Sequence, residues 1–176
     1  HLLKDQTDFV VVLYSNKLVV GRTTAVQNYR EFSRLDYGRP QRDAFSGMLP
    51  PKVARMMVNI AGQGVLLDPF CGSGTIIQEA LSLGWKHVIG SDISEKCIHD
   101  TKANIAWAKL PQPELYSSDV LTLSNVLHHP VDIIVTEGYL GPVQPKQPES
   151  IHRELTLFYQ KVFPHLAQLL KPQGRL

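Results

Sequence analysis

Short apolar runs alternate with helix-period segments along this chain. That pattern predicts an α/β fold, a doubly wound parallel sheet with a small β-hairpin ahead of it. Three observations carry the reading. The run Val65–Asp68 ends in acid and passes through a turn containing Gly72 and Gly74 straight into a helical pattern, as a buried strand, a ligand loop and a helix N-terminus do. Lys86–Ile93 again ends in acid, at Asp92, and again precedes a helical pattern. Val131–Thr136 is apolar at nearly every position, which suits a strand covered on both faces.

Length and composition bound the rest. The 176 residues suit one domain with room for a small appendage, and 43% apolar with 19% charged residues is ordinary for a globular protein. No run approaches the ~18 apolar residues of a membrane span, and no signal-peptide pattern is visible. Cys71 and Cys97 stand in no metal-ligand spacing, and His128-His129 precedes a strand in a polar loop without further ligands nearby, so no metal is expected. A reducing, cytoplasmic setting is the default for such cysteine usage. The net charge of +2 hides an asymmetry: residues 1–60 carry nine Lys/Arg against five Asp/Glu, residues 61–176 nine against eleven. The basic excess, which includes Arg39 and Arg42, fits a phosphate-contacting face or a solvated surface equally well on charge alone.

In chain order, Asp8–Tyr14 and Lys17–Gly21 read as two β-branched runs joined by a Ser15-Asn16 turn. A hairpin this small is marginal alone and is expected to pack on something else. Asn28–Arg34 is polar, irregular or helical. Leu49–Ala61 is a helix opened by proline, with Val53, Met56, Met57 and Ile60 on its expected core face and Gly62 and Gly64 at its end. The organising strand and glycine loop follow, then a helix over Thr75–Leu83 stopped by Gly84. Ser94–Leu110 is a helix expected to bury Cys97, Ile98, Thr101, Ile105 and Ala108, with Pro111 and Pro113 ending it. Leu115–Val120 reads as a third strand followed by a turn, and Val131–Thr136 is the fourth. The proline-rich residues 142–148 form a loop that could cover a site. Ser150–Leu170 is a long amphipathic helix interrupted by Pro164, and Lys171–Leu176 begins another strand. The boundary between an N-terminal hairpin-and-linker segment, 1–45, and the main domain, 46–176, is expected at 45/46, and the last strands of a complete sheet are expected to be missing.

The glycine loop narrows the ligand. A dinucleotide fingerprint needs a third glycine where Ile77 stands, and a P-loop needs Gly-Lys-Ser/Thr after a longer loop. A nucleophile elbow needs G-x-S-x-G, which Phe70-Cys71-Gly72-Ser73-Gly74-Thr75 does not match. The segment Asp68-Pro69-Phe70-Cys71-Gly72-Ser73-Gly74-Thr75 resembles the first motif of S-adenosylmethionine-dependent nucleic-acid N-methyltransferases. Arg39-Pro40, the Leu49–Ala61 helix, this motif and the fourth strand occur in the order seen in the THUMP-associated RNA methyltransferases. The chain is similar in particular to the archaeal-type tRNA guanine-10 N2-methyltransferase group, within the UPF0020-like methylases.

That resemblance implies a Rossmann-like fold of the class I methyltransferase type, S-adenosyl-L-methionine as cofactor, and methyl transfer to an exocyclic guanine amine in tRNA. It implies a donor site made of Asp68, Pro69, Phe70, Gly72, Gly74 and Thr75, then Asp92 and Ile93, then Asp119 and Val120. Asp92 stands where an acid in a βαβ unit reaches ribose hydroxyls; capping the next helix is its plainer alternative. Asp119 corresponds to the acid that accepts from the adenine amino group, with a turn or cap as its alternative. Arg39 and Arg42 are the candidate RNA contacts. An RNA-binding THUMP domain normally precedes the hairpin in this family, so these residues would be mainly the catalytic half. One departure stands out. The family's catalytic pattern is D-P-P-Y, or N-P-P-Y in relatives, and this chain has Glu137-Gly138-Tyr139-Leu140. Glu137 still offers an acceptor for the target amine, and Tyr139 supplies an aromatic one position early. Other targets (a DNA base or a protein amide) and a donor-binding RNA module without turnover remain as alternatives.

Overall fold

The computed structural model describes residues 8–42, 48–142 and 148–176. The 45/46 boundary and most of the proline-rich loop 142–148 therefore lie outside the described residues. At the N-terminus, strands β1 (Phe9–Tyr14) and β2 (Lys17–Arg22) pair antiparallel, from Phe9 opposite Arg22 to Tyr14 opposite Lys17. Ser15 and Asn16 both take positive φ, the pattern of the tight turn whose twist matches a hairpin. Contrary to expectation, every residue of both strands is exposed. The ladder closes locally instead: Thr23 N donates to Asp8 O at 2.9 Å, and Thr23 Oγ1 to Asp8 Oδ2 at 2.6 Å.

Helix α1 (Tyr29–Tyr37) starts at Asn28, whose side chain accepts from Glu31 N. Helix α2 spans Pro51–Ala61. The main sheet follows, with strands β3 (Leu66–Asp68), β4 (Val88–Asp92), β5 (Glu114–Ser117), β6 (Val131–Ile134) and β7 (Leu170–Arg175). They lie in the order β5-β4-β3-β6-β7, all parallel. The chain winds outward from β3 through helix α3 (Thr75–Ser82), β4 and helix α4 (Glu95–Trp107) to β5. It then returns to β6 on the other side of β3. The carboxyl ends of β3 and β6 therefore form a topological switch point, where ligands of open α/β sheets bind.

Side chains alternate across the sheet with period two. Leu66, Val88 and Ile133 pack on one face with Ala54, Val58, Ile76, Ile77 and Ile105 from α2, α3 and α4. Leu67, Ile89 and Ile134 pack on the other with Val162, Leu166 and Leu169 of the long helix α5 (Pro148–Leu169). Two expectations change here. In α2 the buried face is Pro51, Ala54 and Val58, whereas Met56 and Ile60 are 61% and 79% exposed. The small Ala54 lets the α2 backbone approach α3, so the helix turns its bulkier stripe outward. Pro164 does not break α5. Proline deletes one donor of the helical ladder, and the buried side chains of Val162 and Leu166 on either side keep the helix on the sheet.

Candidate active site

Over the switch point lies a cavity of about 630 Å³, within the range of small-molecule and cofactor sites. The β3 end contributes Asp68, Pro69, Phe70, Gly72 and Thr75; the β4 end Asp92 and Ile93; the β5 end Asp119 and Val120; the β6 end Glu137 and Tyr139. Gly74 is not on the cavity wall. It starts α3 with φ +85°, a left-handed conformation that glycine adopts without strain, and a Cβ there would stand 2.8 Å from Thr101 Cγ2. Gly72 also has positive φ, but a Cβ on it would meet nothing within 4 Å, so open space for a ligand lies directly above it.

The loop is held from beneath. Asp92 Oδ2 accepts from Gly72 N at 3.0 Å, and its Oδ1 accepts from Ser94 N at 2.9 Å. Capping of α4 falls to Ser94, whose hydroxyl accepts from Cys97 N, so Asp92 is left facing the cavity with lone pairs to spare. Thr101 Oγ1 donates to Gly72 O at 2.8 Å. Asn104, fully buried on α4, donates to Ser73 O at 2.9 Å and to Gln41 O at 3.0 Å, and accepts from Gln41 N at 3.0 Å. Asp119 Oδ1 accepts from Leu121 N at 2.9 Å, so it shapes the turn after β5 while lining the cavity.

The two strand ends meet directly. Thr136 Oγ1 donates to Asp68 Oδ1 at 2.8 Å, and Phe70 N donates to the same oxygen at 3.2 Å. Asp68 is 1% exposed. Burial pushes its carboxyl up to about 7 against the pull of the Thr136 and Phe70 hydrogen bonds, and the neighbouring Asp92 and Glu137 add to the rise. Burial likewise drives the Cys71 thiol well above its usual range, which leaves it a packing group and not a nucleophile.

Aromatic rings form the far wall. Phe158 of α5 stands between Phe70, at 6.1 Å between centroids, and Tyr139, at 5.7 Å edge to face. Tyr159 hydroxyl donates to Tyr139 O at 2.8 Å. Among the described residues no group of three or more His, Cys, Asp or Glu is gathered as a metal site, and no helix is long and apolar enough to cross a membrane.

Arg39 is not on an RNA-facing surface. It is 3% exposed, and its Nη1 donates to Thr75 Oγ1 at 2.8 Å while its Nη2 lies 3.4 Å from Met48 Sδ. Its place is a buried seam behind the loop with Glu79, a carboxylate raised by burial and partly offset by Arg55 at 3.5 Å. Arg42 is exposed, with its guanidinium over the Tyr37 ring. Sequence reading missed Thr136, Asn104, Phe158 and Tyr159. The available signal lay in α4, where Asn104 falls at helical spacing with Ile98, Thr101 and Ile105 on the buried face, although Asp100 is buried there too.

Known proteins share this fold. A tRNA (guanine(10)-N2)-dimethyltransferase of Methanothermobacter thermautotrophicus is 32% identical over 151 residues, 81% of this chain and 43% of its own length. The chain thus spans less than half of that relative. TrmN from Thermus thermophilus superposes with a TM-score of 0.64 at 22% identity, over 99% of this chain and 49% of TrmN. A magnesium protoporphyrin IX methyltransferase from Synechocystis, solved with bound SAH, shares the fold with a TM-score of 0.53 at 21% identity, over 81% of this chain and 63% of its own. The UPF0020 model, described as an RMKL-like methyltransferase domain, matches residues 39–176. The doubly wound sheet, the glycine loop at its switch point and that match over most of the chain together make this protein a member of the UPF0020 methyltransferase family.

Proposed function

We propose that this chain is the methyl-transferring part of a tRNA methyltransferase acting on the exocyclic N2 of guanine, with S-adenosylmethionine as donor. The observation that carries the reading is the hydrogen bond from Thr136 to Asp68. It ties the donor-loop strand to the strand that bears Glu137 and Tyr139, so both sets of residues line one cavity. The free space above Gly72 and the cavity volume fit a nucleoside-sized donor. Such a donor supplies an electrophilic sulfonium methyl group.

Asp92 accepts from the ribose hydroxyls with the lone pairs its loop bonds leave free. Asp119 accepts from the adenine amine, and Phe70 with the glycine loop packs on the methionine portion. Glu137 orients the target amine and takes up the proton it releases. Tyr139 stacks on an unpaired or flipped guanine, a contact worth about 1–3 kcal/mol. The chain's main contribution would be to hold the target amine beside the donor's methyl group, so that positioning supplies most of the rate. Arg42 contacts RNA phosphate. The upstream THUMP domain and a cytoplasmic location belong to the same proposal.

Isothermal titration with S-adenosylmethionine, followed by transfer of labelled methyl to separate tRNA, DNA and protein pools, tests this. Donor binding lost in Asp92→Ala and label entering tRNA are the expected results. Unchanged affinity in Asp92→Ala, or label in DNA or protein alone, overturns it. The replacement of D-P-P-Y by Glu137-Gly138-Tyr139-Leu140 favours a second reading, an RNA module that binds donor without turnover. Binding without transfer to any pool would select it.

A further inference from the structure

We infer that Tyr159 and Gly138 are a matched positioning pair that sets the conformation of the 137–140 loop. Its catalytic importance rests on the function proposed above; the structural coupling does not. Three observations converge. Tyr159 hydroxyl donates to the backbone carbonyl of Tyr139 at 2.8 Å, fastening the loop to α5. A Cβ built on Gly138 would overlap that hydroxyl oxygen and stand 3.1 Å from Cζ and 3.2 Å from Cε1 of the same ring. The φ of Gly138 is not among the positive ones, so glycine is needed here for space and not for torsion.

The Tyr159 ring is itself held. Phe158 meets it edge to face at 5.1 Å between centroids, and Phe163 stacks on it at 5.4 Å. A few residues along the helix, Val162 and Leu166 anchor α5 in the core. The loop therefore takes its shape from a buttressed side chain on another element, 21 residues away. A proline at 138 carries a Cβ and could not coexist with Tyr159 in this arrangement. The rigidity that two prolines would build into the loop is supplied from outside it, through one hydroxyl. Its purpose is to hold Glu137 and the Tyr139 ring over the cavity, since a displacement on the order of 1 Å costs about 10²-fold in rate.

A double-mutant cycle tests the pair, using the wild-type chain, Tyr159→Phe, Gly138→Ala and the double variant, with circular dichroism to establish that each is folded. Hydrogen–deuterium exchange of the 136–142 backbone is the first readout and needs no activity. Tyr159→Phe should speed exchange there about fivefold, the loss of one net hydrogen bond, and leave the donor dissociation constant unchanged. Gly138→Ala should disturb the loop more. In the Tyr159→Phe background its added effect should shrink, because the oxygen it overlaps has gone, with partial relief only since the ring carbons remain. Second, kcat for tRNA methylation should fall with each disturbance of the loop. Loop exchange unchanged in Tyr159→Phe, or strictly additive effects, overturns the inference. Coupled exchange in a chain that methylates nothing supports the pair and overturns the reading of the loop as an acceptor site.

Discussion

Asp68→Asn should make this protein more stable at neutral and alkaline pH, without altering the shape of its site. Asp68 is buried under Thr136 and Phe70, both of which donate to its Oδ1, and an asparagine Oδ1 accepts the same two bonds. In the fold the carboxyl titrates at about 7, against 3.8 ordinarily. Well below pH 4 both states hold the proton, and the group contributes nothing to pH dependence. As pH rises from about 4 to about 7 the unfolded chain releases the proton while the folded chain keeps it, so folding stability declines through that window and then levels off. Three units of difference correspond to a loss of at most about 4 kcal/mol. Asparagine does not titrate. Urea unfolding of donor-free protein at about pH 4.5, 6 and 8 reads the effect as variant minus wild type, which cancels the other titrating groups. The difference should start near zero and grow in favour of asparagine with pH, approaching that bound. A difference that stays constant with pH, or an asparagine variant that loses stability as pH rises, would refute the assignment of Asp68 as a desolvated acid.

Two other substitutions probe the support of the glycine loop. Asn104→Ala deletes three hydrogen bonds and strands the Gln41 N–H, Gln41 O and Ser73 O it served, so urea denaturation should show a loss of about 3 kcal/mol and calorimetry weaker donor binding. Equal donor affinity in a destabilised variant would show that the brace serves folding alone. Gly74→Ala forces a Cβ against Thr101 at a left-handed φ and should cost about 2–4 kcal/mol from strain and overpacking. Thr101→Ser, which removes the clashing Cγ2 but keeps the hydroxyl that donates to Gly72 O, should restore part of that loss; no rescue would argue against the contact.

The sheet and its glycine loop were legible because their causes are local. A strand buried on both faces reads as an apolar run at Leu66–Asp68 or Val131–Ile134, and Gly72 and Gly74 announce a turn that other residues would strain. Acids at strand ends, Asp68, Asp92 and Glu137, followed from the same punctuation, and the parallel order of the sheet brought them to one cavity. The partners of those residues were not legible. Arg39 looked like a surface cation until Thr75, 36 positions away, accepted its hydrogen bond in the core. Val53, Met56 and Ile60 made as good a helical stripe as Ala54 and Val58, and only the approach of α3 chose between them. Periodicity says that a helix has an apolar face. Which face is covered, which glycine must be small, and which polar group finds its bond depend on elements that meet only after the chain has folded.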